Sequence, residues 1–287
     1  MSHFIKYFLF LVFVFMLTLI PKISQAEPVS VFVSIAPQKY FVERIGGEQV
    51  RVEVMVKPGE SPATFNPNPK KMSRLGNAKL YFPIGVPFEK IWIPRIQAIQ
   101  PNLKIVPLSI SNPKGKSLDI ENHLGEEEDA HTWTSPQNAK LIASGIETVL
   151  SKEIPDKKSI FQQNYNALIQ DLDNLDQEIH DILAKRKNNS FMVFHPAWSY
   201  FAKTYGLKQV SIERNGKEPG PRSFKEIIEK GKKLKIKVIF VQKQFGLSIA
   251  QKVAKMLGAT VQELDPLAEN YLENMRQTAT AIAGASH

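Results

Sequence analysis

The chain has no cysteine among its 287 residues. That absence excludes a disulfide framework, a thiolate zinc site, an iron–sulfur cluster and a cysteine nucleophile. It also excludes the lipid-modified cysteine by which a bacterial lipoprotein is tethered. No His-Glu-x-x-His, Gly-x-Ser-x-Gly or P-loop is present, so the common signatures of zinc proteases, serine hydrolases and nucleotide-binding enzymes are missing. Long apolar runs are scarce. The one that stands out is Tyr7 to Ile20, which follows Lys6 and is short of the roughly 20 residues a membrane span needs. Ser24-Gln25-Ala26 then supplies a small-x-small tripeptide ahead of Glu27. This pattern predicts a secretory signal peptide over residues 1–26, cleaved after Ala26. The expected mature protein, residues 27–287, is free in the periplasm and not a lipoprotein.

With 37 Lys+Arg against 28 Asp+Glu the net charge is +9, of which Lys6 and Lys22 leave with the signal. A basic balance invites nucleic acid as a partner, but export removes that reading. The densest basic stretch, residues 225–243, alternates with Ile227, Ile228, Leu234, Ile236 and Val238. It reads as the solvated face of a helix leading into a strand, without the interleaved aromatics that stack bases. The composition, 43% hydrophobic and 23% charged, is that of a globular protein rather than a disordered one.

Apolar runs and helical periods alternate along the chain. Strands are expected at residues 29–35, 50–56, 79–84 and 104–108, with helices at 38–45 and 88–100. A proline-rich loop, residues 58–69, lies between the second and third strands. Ser135-Pro136 opens a helix to about residue 151, with serine as N-cap. After Asn188-Asn189 the alternation resumes: strands at 191–194, 210–213, 238–242 and 260–264, and helices at 196–205, 223–233, 248–257 and 269–283. Ser223 is the expected cap of the second of these helices. Between the two halves, Phe161, Tyr165, Leu168, Leu172, Leu175, Ile179 and Ile182 recur at steps of four and three, one apolar stripe on one long helix. The expected fold class is α/β: two lobes, each a parallel sheet flanked by helices, joined by one backbone helix. The expected domains are 27–152, the linking helix 153–187, and 188–287.

Five histidines remain after the signal: His123, His131, His180, His195 and His287. His180 lies outside the apolar stripe and His287 ends the chain. His123 sits in the irregular stretch 109–130, whose end is acidic with Glu126, Glu127 and Glu128. His131, His195 and Asp265 each stand just beyond a strand or loop end, the positions that line the ligand crevice of open parallel sheets. Two imidazoles and a carboxylate suit a borderline cation such as Zn²⁺. A helix cap or a core hydrogen bond is the competing reading of each.

The order of motifs resembles the cluster A-I periplasmic solute-binding proteins, which deliver zinc or manganese to ABC importers. Pro62-Ala63-Thr64-Phe65-Asn66-Pro67-Asn68-Pro69 resembles the family's first loop. Asp129-Ala130-His131-Thr132-Trp133-Thr134-Ser135-Pro136 and His195-Pro196-Ala197-Trp198-Ser199-Tyr200-Phe201-Ala202 resemble its second and third motifs, and Leu264-Asp265-Pro266-Leu267 its last. The resemblance implies a metal between two lobes, with His131, His195 and Asp265 in three of four ligand positions. Histidine at the third position implies zinc rather than manganese. The first position departs from the pattern: Ala63 stands where a histidine is expected, and alanine cannot coordinate. Gln242 replaces the usual acidic residue that orients ligands.

Three outcomes stay open for the vacant position. Water or a bidentate carboxylate completes the shell, or His123 or one of Glu126, Glu127 and Glu128 does so, or the site is degenerate and binds metal weakly or takes another ligand or partner. The resemblance implies a monomeric receptor that hands a divalent metal to the membrane subunit of an ABC permease, and not an enzyme. Metal affinity is expected to fall below the ordinary imidazole pKa of roughly 6.5. The long helix is expected to restrict metal-linked change to loops.

Overall fold

The computed structural model of the protein describes residues 27–108, 129–214 and 216–285. Residues 1–26, read above as a signal peptide, and His123, Glu126, Glu127, Glu128 and His287 lie outside the described residues. Two four-stranded sheets are formed, both entirely parallel. The first contains β1 (Val29–Val33), β2 (Val50–Val54), β3 (Leu80–Phe82) and β4 (Lys104–Ile105), in the order β2-β1-β3-β4. The second contains β5 (Ser190–Val193), β6 (Lys208–Ser211), β7 (Val238–Val241) and β8 (Thr260–Glu263), in the order β6-β5-β7-β8. Central strands are apolar on both faces because helices cover both sides of a parallel sheet. Val31, Phe32 and Val33 are fully buried in β1, and Phe191, Met192 and Val193 almost so in β5.

In each sheet the first strand lies second in the order, so the chain winds to one side and then to the other. This leaves a topological switch point between β1 and β3 and another between β5 and β7. Ligands of such sheets bind outside the carboxyl ends of the strands at these points. The segments leaving those ends are Ser34-Ile35 and Pro83–Val86 in one lobe, and His195 and Gln242 in the other.

The helices are α1 (Ala36–Gly46), α2 (Pro69–Leu75), α3 (Pro87–Ile99), α4 (Pro136–Glu153), α5 (Lys158–Ala184), α6 (Ser199–Thr204), α7 (Pro221–Lys233), α8 (Leu247–Leu257) and α9 (Tyr271–Gly284). The expected apolar stripe is realised on α5. Phe161, Leu168, Leu172, Leu175 and Ile179 are buried, while Tyr165 and Ile182 pack at the edge. At 27 residues α5 is about 40 Å long. It packs on α1 and α4 at one end and on α9 at the other, so it links the lobes. Arg44 to Asp171 at 2.6 Å, at its midpoint, and Arg276 to Glu178 at 2.7 Å, about two turns further on, tie α5 to α1 and α9. One continuous core runs from the first sheet through α5 to Trp198, Phe240 and Tyr271 in the second lobe. A smaller core, including Met192, Ile239 and Val253, fills the second lobe.

Several local expectations are corrected. α2 lies at the end of what reads as a proline-rich loop. Pro69 fits its first turn, where the missing N–H costs nothing, and Asn68 Oδ1 accepts the Lys71 N–H at 2.9 Å. Gly220, not Ser223, is the N-cap of α7, and Pro221 opens that helix. Ser135 does occupy the N-cap of α4, but its hydroxyl does not cap; it lies 3.0 Å from Thr204 Oγ1 instead. α6 begins at Ser199 rather than at Pro196, and α9 at Tyr271 rather than at Glu269. Among the described residues no helix is long and apolar enough to cross a membrane.

Candidate metal centre

A cavity of about 360 Å³ opens where the carboxyl ends of the two sheets face each other. Pro62, Ala63 and Pro87 line it from the first lobe, His195, Gln242 and Phe245 from the second. His131 and Pro266 also line it.

His131 precedes the helical turn Thr132–Thr134 that leads into α4. Its ring Nδ1 lies 2.6 Å from Asp129 Oδ1, which also accepts the His131 backbone N–H at 3.0 Å. Burial works to raise the Asp129 carboxyl, but the His131 ring and backbone N–H, with the Ser199 hydroxyl, hold it below its ordinary value. His195 follows β5. Its Nδ1 lies 3.1 and 3.2 Å from the two oxygens of Glu213, a buried carboxylate just beyond β6. The Phe245 ring stacks on the His195 ring at 4.9 Å and 23°. The two imidazoles face each other edge to face, 5.1 Å between centroids.

Each histidine therefore has a carboxylate on Nδ1. That arrangement places the ring proton on Nδ1 and leaves Nε2 as a lone-pair donor, the carboxylate–histidine pattern of metal sites. Asp129 and Glu213 are imidazole partners that sequence reasoning did not single out. The spacing of Asp129, two residues before His131, was a usable signal. Glu213 carried a weaker one: it stands two residues beyond β6, the strand paired with the one before His195.

Gln242 is buried beside the site. Its amide Nε2 donates to the His195 carbonyl at 3.1 Å, and its Oε1 has no hydrogen-bond partner. Ala63 is on the cavity wall, its N–H directed to Ser61 Oγ at 3.3 Å. Asp265 is not on that wall. Its Oδ1 accepts the Leu267 N–H at 2.9 Å, and the residue lines a second, more polar concavity beside Glu273, Asn274 and Arg276. Pro266 and Leu267, the next two residues, do line the first cavity. Among the described residues no three His, Asp or Glu side chains converge to hold one metal ion; what converges is the imidazole pair.

The model of the family described as ZnuA, zinc-uptake complex component A, periplasmic, matches residues 31–285. A crystal structure of a ZnuA deletion mutant with zinc bound is 35% identical and superposes with a TM-score of 0.81, covering 90% of this chain and 98% of that one. The high-affinity zinc uptake system protein ZnuA of Bacillus subtilis is 26% identical over 260 residues, 85% of this chain and 80% of the relative. The zinc-binding lipoprotein AdcA of Streptococcus pneumoniae is 28% identical over 268 residues. That match takes in 86% of this chain but only 53% of AdcA, so the chain spans about half of that relative. The protein belongs to the ZnuA family of periplasmic zinc-uptake components.

Proposed function

We propose that the protein is a periplasmic solute-binding receptor that captures one Zn²⁺ in the inter-lobe cavity and presents it to the membrane subunit of an ABC importer. The observation that carries the reading is the imidazole pair, each ring oriented by its own carboxylate, at the facing switch points of two parallel sheets. Family membership supplies the transport role, and the zinc in the names of the relatives gives the cargo. Nothing in the motif set calls for catalysis: the role is capture and release.

His131 and His195 donate Nε2 lone pairs. Asp265 is the third ligand in this reading. Its Oδ1 accepts the Leu267 N–H, so capture requires the 265–267 turn to bring that carboxylate over the cavity rim. Ala63 is the vacant fourth position, filled by water or by the second oxygen of a carboxylate. Three protein ligands with an open position are a stable zinc arrangement. His123 and Glu126, Glu127 and Glu128 remain candidates for that position. Gln242 holds the His195 carbonyl and so fixes the backbone beneath that ligand. In this reading the mature chain is residues 27–287, a free monomer composed of lobes 27–152 and 188–287 with the helix 153–187 between them.

Calorimetry on metal-stripped residues 27–287 tests the proposal. One equivalent of zinc should bind, and manganese should bind less tightly. Absence of stoichiometric binding by either ion would refute the receptor reading.

A further inference from the structure

Glu89, in the first turn of α3, is 1% exposed, and its carboxylate is occupied by backbone. Oε1 accepts the Ile84 N–H at 3.0 Å and Oε2 the Gly85 N–H at 2.7 Å. The Val86 N–H and the Ser34 hydroxyl add to this set. Ser34 Oγ is 2.8 Å from the Tyr81 hydroxyl. Gln38 Oε1 accepts the Ser34 and Ile35 N–H groups at 3.0 and 3.2 Å, and its Nε2 donates to the Phe82 carbonyl at 2.8 Å. Ser34, Gln38, Tyr81 and Glu89 thus form one buried polar network at the carboxyl ends of β1 and β3, the switch point of the first lobe. A buried carboxyl is costly to keep, and a network of this kind specifies one backbone arrangement when its members are satisfied.

The backbone so specified is the turn from Ile84 to Pro87. Gly85 within it has φ +99°, in the region that favours glycine. This turn is the seat of the cavity's first-lobe rim. Pro87 lines the cavity directly. The Phe88 N–H donates to the Pro62 carbonyl at 3.3 Å, and the Phe88 ring meets the Phe65 ring edge to face at 5.0 Å. Ala63 lies between these two anchored residues.

We infer that Glu89 is a positioning residue of the metal site: through the 84–87 turn it holds the 62–65 rim, and with it the position occupied by Ala63, on the cavity wall. The inference rests on the reading of Ala63 as the vacant ligand position. It assigns the rim's placement to a residue that touches neither metal nor cavity.

A double-mutant cycle on zinc affinity tests it, using wild type, Ala63→His, Glu89→Gln and the combination. Ala63→His should strengthen zinc binding about tenfold or more when Glu89 is present, and less than about threefold in the Glu89→Gln background. A purely structural loss would weaken all proteins alike and leave that ratio unchanged. Hydrogen exchange in the metal-free protein gives a second readout, in which the Phe88 amide should lose protection in Glu89→Gln. An equal gain in both backgrounds, with Phe88 still protected, would overturn the role of Glu89. No gain from Ala63→His with Glu89 intact would overturn the vacant-position reading beneath it. Should Glu89→Gln fail to fold by circular dichroism, Glu89→Asp, which keeps the acid but shortens its reach to the Ile84 and Gly85 N–H groups, replaces it in the same cycle, with the same ratios deciding.

Discussion

Trp133 donates its indole N–H to the carbonyl of Pro266 at 2.7 Å, joining the segment that carries His131 to the segment that carries Asp265. The Tyr271 hydroxyl in turn donates to the Trp133 carbonyl at 2.8 Å. All three residues are buried, and the bonds cross from the entry of α4 to the end of β8 and the start of α9. Two metal-ligand candidates on different lobes are therefore spaced by a buried indole. Trp133→Phe keeps most of the ring and leaves the Pro266 carbonyl unpaired. Urea unfolding of the metal-free protein should show a loss of about 1–3 kcal/mol. Zinc affinity should fall with it, since the turn bearing Asp265 is no longer tied to His131.

Orientation of the imidazoles gives a second prediction. Glu213→Gln and Asp129→Asn preserve side-chain shape but remove the carboxylate from His195 Nδ1 and His131 Nδ1 respectively. Each should weaken zinc binding by about 10–100-fold while the stoichiometry stays at one, as measured by competition with a chromogenic chelator. Unchanged affinity in both would show that the carboxylates do not set the ring orientation.

Glu89 makes a pH-dependent prediction. Burial pushes its carboxyl up to about 7, against the pull of the Ser34 hydroxyl and the backbone N–H groups, whereas the ordinary value is 4.5. The facing Tyr81 hydroxyl is pushed well up by burial and stays neutral. Between those two pH values the folded state holds a proton that the unfolded chain has released, so stability falls as pH rises. The penalty is absent below pH 4.5 and complete above about 7. Glu89→Gln cannot titrate. The stability of wild type relative to that variant should therefore decline by roughly 3 kcal/mol from pH 4.5 to 7.5 in metal-free protein. Parallel pH profiles would contradict the assignment.

The shared core and α5 make a mechanical prediction. α5 packs on helices of both lobes, and one hydrophobic cluster spans them. Opening about a hinge would break that core, so metal capture should move the 62–65 and 265–267 segments and leave the lobes in place. X-ray scattering of metal-free and zinc-loaded protein should give the same radius of gyration.

Much of this was legible in the sequence. The two sheets came from apolar runs at βα spacing, since a strand buried on both faces announces itself by composition. The step of four and three from Phe161 to Ile182 placed α5 and the face it buries. His131 and His195 were locatable because each stands just beyond a strand or loop end, whereas Ala63 was located only through the resemblance of its loop to the family's first motif. What pattern reading missed depends on contacts remote in sequence. Glu213 reaches His195 from the neighbouring strand, Glu89 is buried although its type is normally exposed, and Ser135 meets Thr204 instead of capping its own helix. α2 escaped because prolines mark a helix start as readily as a loop. The side-chain direction of Asp265 is set by the Leu267 N–H, a bond that no spacing rule foretells.

The central claim is that zinc is held by the imidazole pair. Its most direct test is a zinc isotherm on metal-stripped wild type, His131→Ala, His195→Ala and the double variant. Loss of the single equivalent in the double variant, with each single variant markedly weakened, is the predicted result. Stoichiometric binding in the double variant at the wild-type affinity would contradict the account.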